Sequence, residues 1–215
     1  MICVSLAEPT VAACLSALEG LELAEVRLDT MRIGPAGVKT IFSRYPRLIA
    51  TCRPGAVPEA RRRRLLLAAI EAGAAFVDVE AEAGPRLRDS LVSAARSRNC
   101  RVIVSHHDFR RTPPRPELEA VVRRAFEAGA DIAKVACRVR EMRDNARLLG
   151  LLDLGVPLVV VGMGRLGRLT RIAAPLLGSL FTYASLGAGR ETADGQLDAA
   201  SLERILLELG EKVHA

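Results

Sequence analysis

The side chain with the most unusual setting in the sequence is Lys134, inside the apolar run Ile132–Cys137. That run is rich in small and β-branched residues and predicts a buried strand. Burial lowers the pKa of an amine by as much as ~3–5 units, and a neutral lysine is a nucleophile for carbonyl carbons. The alternatives are an internal ion pair with Glu80 or Asp78, or a head group that emerges at the end of the strand. The sequence therefore predicts either an imine-forming lysine or a structural one.

Charged or titratable residues recur at intervals of 26 or 27 residues, each within or at the end of a short apolar run. They are Arg27, Arg53, Glu80, His107 and Lys134. An interval of this length is typical of one supersecondary unit that is repeated along a chain. We therefore expect five strands to present polar residues at equivalent positions.

Eight predicted strands alternate with eight predicted helices. The strands are expected at 1–6, 23–29, 47–53, 76–80, 101–107, 131–137, 157–163 and 179–185, and the helices at 10–19, 36–44, 58–72, 85–98, 116–128, 140–153, 168–177 and 198–211. Strands this apolar are buried on both faces, which indicates an α/β fold with a parallel sheet. We predict a compact (β/α)8 TIM barrel, a single domain over 1–215 without an N-terminal extension before the first strand. The alternative is an open doubly wound sheet, but such sheets concentrate ligand residues at one switch point.

Because side chains alternate between the two faces of a strand, several of these polar residues are expected to share a face. The predicted groups are Glu25 with Arg27 and Asp29, Asp78 with Glu80, and Ser105 with His107. A charged cluster inside an apolar barrel is costly unless it forms a site. His106 points away from that site, whereas His107, near a buried lysine and Glu80, has the arrangement of a general base oriented by a carboxylate.

The composition argues against several classes of function. The net charge is +6, but the basic residues are scattered and only 3% of residues are aromatic, which is unfavourable for nucleic-acid binding. The run Arg61–Arg64 is interpreted as the solvated first turns of a helix. The five cysteines form no C-x-x-C pair and no metal-ligand spacing is present, so we expect buried free thiols and no metal. Without a signal segment or a membrane span, the protein is expected in the cytoplasm.

Gly162–Gly167 spells G-x-G-x-x-G after a predicted strand. The dinucleotide fingerprint also needs an acidic residue at the end of the next strand, and here that strand ends at Ser185. We interpret the glycines as a tight turn that passes near a ligand, and phosphate capture there is the alternative.

Seven segments, in order over essentially the whole chain, resemble the type I 3-dehydroquinate dehydratases. They are Glu25-Val-Arg27-Leu-Asp29, Thr51-Cys-Arg53, Asp78-Val-Glu80, Ser105-His-His107-Asp-Phe109 with Thr112-Pro113, Ala133-Lys134-Val135, Thr170-Arg171-Ile172 and Gly195-Gln196. The resemblance implies a cofactor-free elimination of water from 3-dehydroquinate, giving 3-dehydroshikimate in the shikimate pathway. It implies that Lys134 forms an imine with the substrate, that His107 acts as the base, and that Glu80 fixes the orientation of His107.

The resemblance also implies a set of substrate contacts. Arg171 would clamp the substrate carboxylate, Thr192 and Gln196 would belong to a lid, and Met163 would supply an apolar wall. The remaining polar contacts would come from Ser5, Glu25, Arg27 and Arg53.

The sequence departs from the family pattern in three places. Many members carry Gly-Gly-Glu after the strand-three arginine, where this chain has Pro54-Gly55-Ala56, and their lid serine is Thr192 here. Many have an N-terminal extension that covers the barrel floor. We expect a homodimer to compensate for its absence.

Two other functions are compatible with the residues. A class I aldolase would share the strand-six lysine. It would need a phosphate-binding loop, and it would not need the pair of His107 and Glu80. A non-catalytic barrel that binds an anionic metabolite would account only for the surplus of arginine.

Overall fold

The computed structural model describes residues 1–55 and 57–210, and within them eight strands alternate with eight helices. The strands are β1 (Ile2–Leu6), β2 (Ala24–Arg27), β3 (Leu48–Thr51), β4 (Phe76–Glu80), β5 (Arg101–Asp108), β6 (Ile132–Arg138), β7 (Leu158–Met163) and β8 (Thr182–Ser185). The helices are α1 (Val11–Leu18), α2 (Pro35–Phe42), α3 (Glu59–Glu71), α4 (Pro85–Ser97), α5 (Arg115–Glu127), α6 (Met142–Leu149), α7 (Arg168–Leu176) and α8 (Ala199–Glu208). Ala56 and the predicted end of the last helix at 211 lie outside the described residues.

The strands form one parallel sheet that curves into a barrel. Its order is β7-β6-β5-β4-β3-β2-β1-β8, so β8 returns to pair with β1. The two ends of the sheet meet where Leu180 N donates a hydrogen bond to Leu158 O over 3.1 Å. The predicted (β/α)8 barrel, with its first strand starting at residue 2, is confirmed, and the open doubly wound alternative is wrong.

The inside of the barrel is layered. An apolar floor consists of Cys3, Leu23, Ile49, Ile103, Ile132, Val159 and Phe181, all buried. Two residues further along these strands the same face carries mostly polar side chains, among them Ser5, Glu25, Thr51, Ser105, Lys134 and Tyr183. Because side chains alternate along a strand, the polar layer lies directly above the floor, towards the carboxyl ends of the strands. Active sites of this fold lie at that end.

Most element boundaries differ from the prediction by at least one residue, and three of these differences involve a change of structure at the boundary. Pro58 is the N-cap of α3 and not its first residue. The helix expected over 140–153 ends at Leu149 and continues as a 3₁₀ helix over Gly150–Leu154. β8 begins at Thr182, three residues later than expected, after a bend in which the Ser179 hydroxyl donates to Phe181 O over 3.0 Å.

The remaining apolar side chains pack between the strands and the helices. The five cysteines are buried and free, as predicted. No helix within the described ranges has both the length and the apolar character needed to cross a membrane.

Candidate active site

A cavity of about 430 Å³ opens at the carboxyl ends of the strands, a size typical of small-molecule sites. All eleven residues predicted for the site line it: Ser5, Glu25, Arg27, Arg53, Glu80, His107, Lys134, Met163, Arg171, Thr192 and Gln196. The sequence therefore predicted which residues meet at the cavity, and the contacts of each side chain decide what it can do there.

Lys134 lies at the bottom of the cavity, with only 5% of its surface exposed. Its Nζ atom donates to Asp78 Oδ2 over 3.0 Å, to Glu25 Oε2 over 3.4 Å and to the Tyr183 hydroxyl over 3.0 Å. Three acceptors match the three hydrogens of an ammonium group. The ion pair with Asp78, which was one of the sequence alternatives, is thus present, but it lies in a cavity open to a small molecule.

The carboxylates beside Lys134 are held in their charged form. Burial alone would raise the pKa of Glu25, but the positive charges of Lys134 and Arg53 outweigh it and lower that pKa. The same opposition leaves the pKa of Asp78 far below its ordinary value, since Arg53 also binds both Asp78 oxygens over 2.9 Å. Arg53, expected to contact substrate, is therefore largely occupied by Asp78.

His107 stands two residues further towards the mouth than Ser105, which is paired with Lys134 across β5 and β6. At ~3.3 Å per residue this puts His107 roughly 7 Å above the level of Lys134. Burial, with the positive charges of Arg53 and Lys134, lowers the pKa of His107 to about 2. The ring is thus neutral at physiological pH. It stacks on Phe109, with ring centroids 5.9 Å apart.

Glu80 does not contact His107 as the sequence suggested: within the described residues no hydrogen bond joins them, so an orienting role stays a prediction. Its Oε1 accepts from Arg53 over 3.0 Å and its Oε2 from Arg62 over 2.5 Å. Arg62 also donates to Cys52 O over 2.8 Å and is buried. The interpretation of Arg61–Arg64 as solvated is therefore wrong at Arg62, because that side of α3 faces the barrel.

Arg171 lies on the opposite wall, on α7, and is 1% exposed. Its Nη1 donates to Tyr183 O over 3.1 Å, whereas Nε and Nη2 are buried without a hydrogen-bond partner in the described part of the chain. Burial, and the charge of nearby Arg168, lower the pKa of Arg171 to about 10, so it remains a cation at neutral pH. Two unpartnered N–H groups on one buried guanidinium suit a carboxylate.

The segment between β8 and α8 covers one side of the cavity. Thr192 Oγ1 donates to Ser5 Oγ over 2.8 Å, and Ser5 donates to Glu25 over 2.9 Å. Gln196 accepts from Thr192 N over 2.7 Å. A chain of hydrogen bonds thus joins this segment to the carboxylate beside Lys134.

The glycines of Gly162–Gly167 serve close packing. A Cβ on Gly167 would lie 2.4 Å from Gly162 O, and a Cβ on Gly195 would lie 2.3 Å from Gly164 O. Gly164 N donates to Asp194 O over 3.1 Å, and Gly167 N to Gly164 O over 2.9 Å. Because these amides are used within the protein, the turn supports the covering segment and offers little to a phosphate.

Two further predicted residues line the rim. Arg27 is bound by both oxygens of Asp29, over 3.1 and 2.7 Å, which fixes its guanidinium at the mouth. Met163 ends β7 and is buried in the wall.

Three residues of the site were missed or undervalued in the sequence. Asp78 was expected on the inward face with Glu80, or as an ion-pair partner of Lys134, but was not among the eleven predicted site residues. Tyr183 was expected only as part of the last strand, and Arg62 only as surface charge. The place of Asp78 on the same strand face as Glu80 indicated that it belongs to the site. The inward position of Tyr183 on β8 indicated the same for Tyr183. Nothing in the sequence distinguished Arg62 from its neighbours.

Comparison with known proteins agrees with this geometry. A sequence profile of the family described as type I 3-dehydroquinase matches residues 2–212. The 3-dehydroquinate dehydratase of Methanosarcina mazei is 32% identical over 224 residues, covering 96% of this chain and 93% of that protein. The enzyme of the same name from Methanosarcina barkeri is 40% identical over 154 residues, or 69% of this chain and 64% of the relative. The crystal structure of 3-dehydroquinate dehydratase from Geobacillus kaustophilus superimposes with a TM-score of 0.84 at 27% identity, over 99% of this chain and 92% of that one. Matches over nearly the full length, on a barrel with this charged mouth, place the chain in the type I 3-dehydroquinase family.

Proposed function

We propose that this chain removes water from 3-dehydroquinate through an imine on Lys134, giving 3-dehydroshikimate in the shikimate pathway. The observation that carries the proposal is the placement of a buried lysine at the bottom of a cavity with a neutral histidine above it. Family membership supplies the reaction, because the type I enzymes are the Schiff-base class of this hydro-lyase.

The first stage forms the imine. Lys134 gives up one proton, for which Glu25 and Asp78 are the carboxylates in reach, and its nitrogen attacks the ketone carbon. A C–N bond forms, and the former carbonyl oxygen receives one proton from the nitrogen and one back from the carboxylate. The C–O bond then breaks, the oxygen leaves as water, and the nitrogen ends as a protonated imine. That cation withdraws electrons from the neighbouring carbon and so acidifies its C–H bond.

The second stage is the elimination, with His107 as the base. The neutral imidazole takes the proton from the carbon next to the imine, and the electron pair moves towards nitrogen as an enamine. The imidazolium then gives its proton to the hydroxyl one carbon further on, which leaves as water while the enamine returns to a conjugated imine. Hydrolysis of that imine releases the enone product and restores Lys134.

Arg171 would hold the substrate carboxylate through its unpartnered Nε and Nη2 groups. Thr192 and Gln196 would close over the bound ring, and Met163 would contact its apolar face. The ring hydroxyls would meet the remaining polar wall, formed by Ser5, Glu25, Arg27 and Arg53.

Glu80 acts in this proposal through Arg53. It accepts a hydrogen bond from Arg53, which in turn binds both carboxylate oxygens of Asp78. The arrangement fixes a positive charge below His107 that helps to keep the imidazole neutral.

The proposal is tested by mixing the protein with 3-dehydroquinate, adding borohydride, and locating the added mass by peptide mass spectrometry. We expect a reduced adduct on Lys134, none on the exposed Lys39, and enone absorbance in the unreduced sample. His107→Ala should lose about 10²-fold or more of the dehydration rate while still giving the adduct. An adduct without enone absorbance in the parent protein would contradict dehydration and direct attention to aldol substrates.

A homodimer and a cytoplasmic location stay predictions. Support for the dimer comes from leucines exposed on α7 and just after it, namely Leu169, Leu176, Leu177 and Leu180. Exposed apolar surface of this kind is typical of protein interfaces. Sedimentation of the parent and of Leu177→Lys would test it, since a lysine there should shift a dimer towards monomer.

A further inference from the structure

Tyr183 is the one neutral group among the three acceptors around the Lys134 nitrogen in the described residues. Its hydroxyl oxygen lies 3.0 Å from Nζ, and its ring centroid lies 4.1 Å from the same atom. The side chain is buried in the inner cluster of the barrel and lines the cavity. The nucleophile therefore meets both the hydroxyl and the π-face of one ring.

The same residue also contacts the opposite wall of the cavity. Its backbone carbonyl accepts the hydrogen bond from Arg171 Nη1 over 3.1 Å. Phe181 packs edge-on against the ring, with centroids 5.5 Å apart and planes at 72°. Tyr183 thus contacts both the lysine and the predicted carboxylate clamp, and a neighbouring ring packs against it.

We propose that Tyr183 is a further catalytic residue, whose hydroxyl positions the Lys134 nitrogen and whose ring stabilises the positive charge of the protonated imine. This rests on imine formation at Lys134, as proposed above. An ammonium has three hydrogens to donate, whereas a protonated imine has one. Two of the three acceptors must lose their hydrogen bond when the imine forms, but the ring face attracts the cation in either state.

The electrostatics argue against a role in which Tyr183 donates its proton. Burial, together with the negative charge of Glu25, raises the pKa of Tyr183 well above its ordinary value. The phenol stays neutral here, because the loss of its proton would place a further negative charge beside Glu25 and Asp78. The hydroxyl therefore works as a fixed dipole.

The experiment compares Tyr183→Phe and Tyr183→Leu with the parent protein in two measurements. The first is the rate at which the imine forms, followed by borohydride quenching of single-turnover mixtures with 3-dehydroquinate. The second is the affinity for quinate, in which the ketone is replaced by a hydroxyl so that no imine can form. Tyr45→Phe, at the only other tyrosine of the chain, removes a hydroxyl that donates to Leu15 O far from the cavity and is the matched control.

We expect Tyr183→Phe to slow imine formation about tenfold or more, because it removes a hydrogen bond to a charged group. Tyr183→Leu should lose a further factor of about five through the missing ring. Quinate affinity should stay within about twofold in Tyr183→Phe, and Tyr45→Phe should match the parent in both measurements.

Two results would overturn the proposal. One is an unchanged rate of imine formation in Tyr183→Phe. The other is a loss of quinate affinity in Tyr183→Phe as large as its loss of imine-formation rate, which would mean that Tyr183 only shapes the cavity. Tyr183→Phe keeps the buried ring, so it decides the matter even where Tyr183→Leu fails to fold. Absence of any adduct in the parent would instead refute imine chemistry itself, before the variants are compared.

Discussion

Arg62 reaches from α3 to the barrel interior, where its Nη2 lies 2.5 Å from Glu80 Oε2. Through Glu80 it connects with Arg53, and through Arg53 with Asp78 and the lysine nitrogen. A helix outside the barrel thereby helps to balance the charges of the inner polar layer. Because Arg62 and Glu80 are both buried, the loss of either charge would leave the other poorly compensated.

We predict that Arg62→Met lowers the free energy of unfolding by about 2–3 kcal/mol, since Arg53 still compensates part of the Glu80 charge. Urea denaturation would measure the change. Arg64→Met, on the exposed side of the same helix turn, should stay within about 0.5 kcal/mol of the parent. Equal stability of both variants and the parent would show that the Glu80 contact has no net value.

His107 should make the protein less stable in mild acid. Its pKa is about 2 in the folded chain but ~6.5 when unfolded, so below pH ~6.5 the unfolded state binds the extra proton. The free energy of unfolding should therefore fall with decreasing pH, by up to ~1.4 kcal/mol per unit from this group. His107→Asn should reduce that slope between pH 6.5 and 4.5 in urea titrations. Parallel curves for the two proteins would contradict the assignment.

Arg171 should be unfavourable for stability and necessary for binding. Its Nε and Nη2 atoms are buried without partners in the described chain, so Arg171→Met should leave the free energy of unfolding unchanged or raise it by about 1–3 kcal/mol. The same variant should weaken quinate binding by at least ~30-fold, because the carboxylate loses a charged bidentate partner. Calorimetric titration and chemical denaturation measure the two effects. Arg168→Met removes an equal charge from the exposed surface, and a similar loss of affinity there would point to a general field effect.

The sequence predicted the position of the site better than its contacts. Lys134 and His107 were found because strand parity and a regular interval fix which face a residue occupies. The partner of Glu80 was not predictable in this way, since it depends on the rotation of α3 against the barrel, which brings Arg62 inwards. The contact of Tyr183 with Lys134 depends on the closure of β8 onto β1, a long-range feature that no local pattern encodes.

The covering segment gives the last prediction, at Gly195. Its φ is +81°, and a Cβ there would lie 2.3 Å from Gly164 O, so Gly195→Ala must push the segment away from the β7 turn. Thr192 and Gln196 would move with it, and we expect quinate affinity to fall about tenfold or more.

Gly189→Ala is the matched control for Gly195→Ala. Gly189 has a similar φ of +79°, but a Cβ there would meet no atom within 4 Å. It therefore carries the same backbone strain without the collision, and its quinate affinity should stay within about twofold of the parent, as measured by calorimetric titration. Comparable losses in the two variants would mean that backbone strain alone weakens binding, and that the contact between Gly195 and Gly164 does not hold the segment over the cavity.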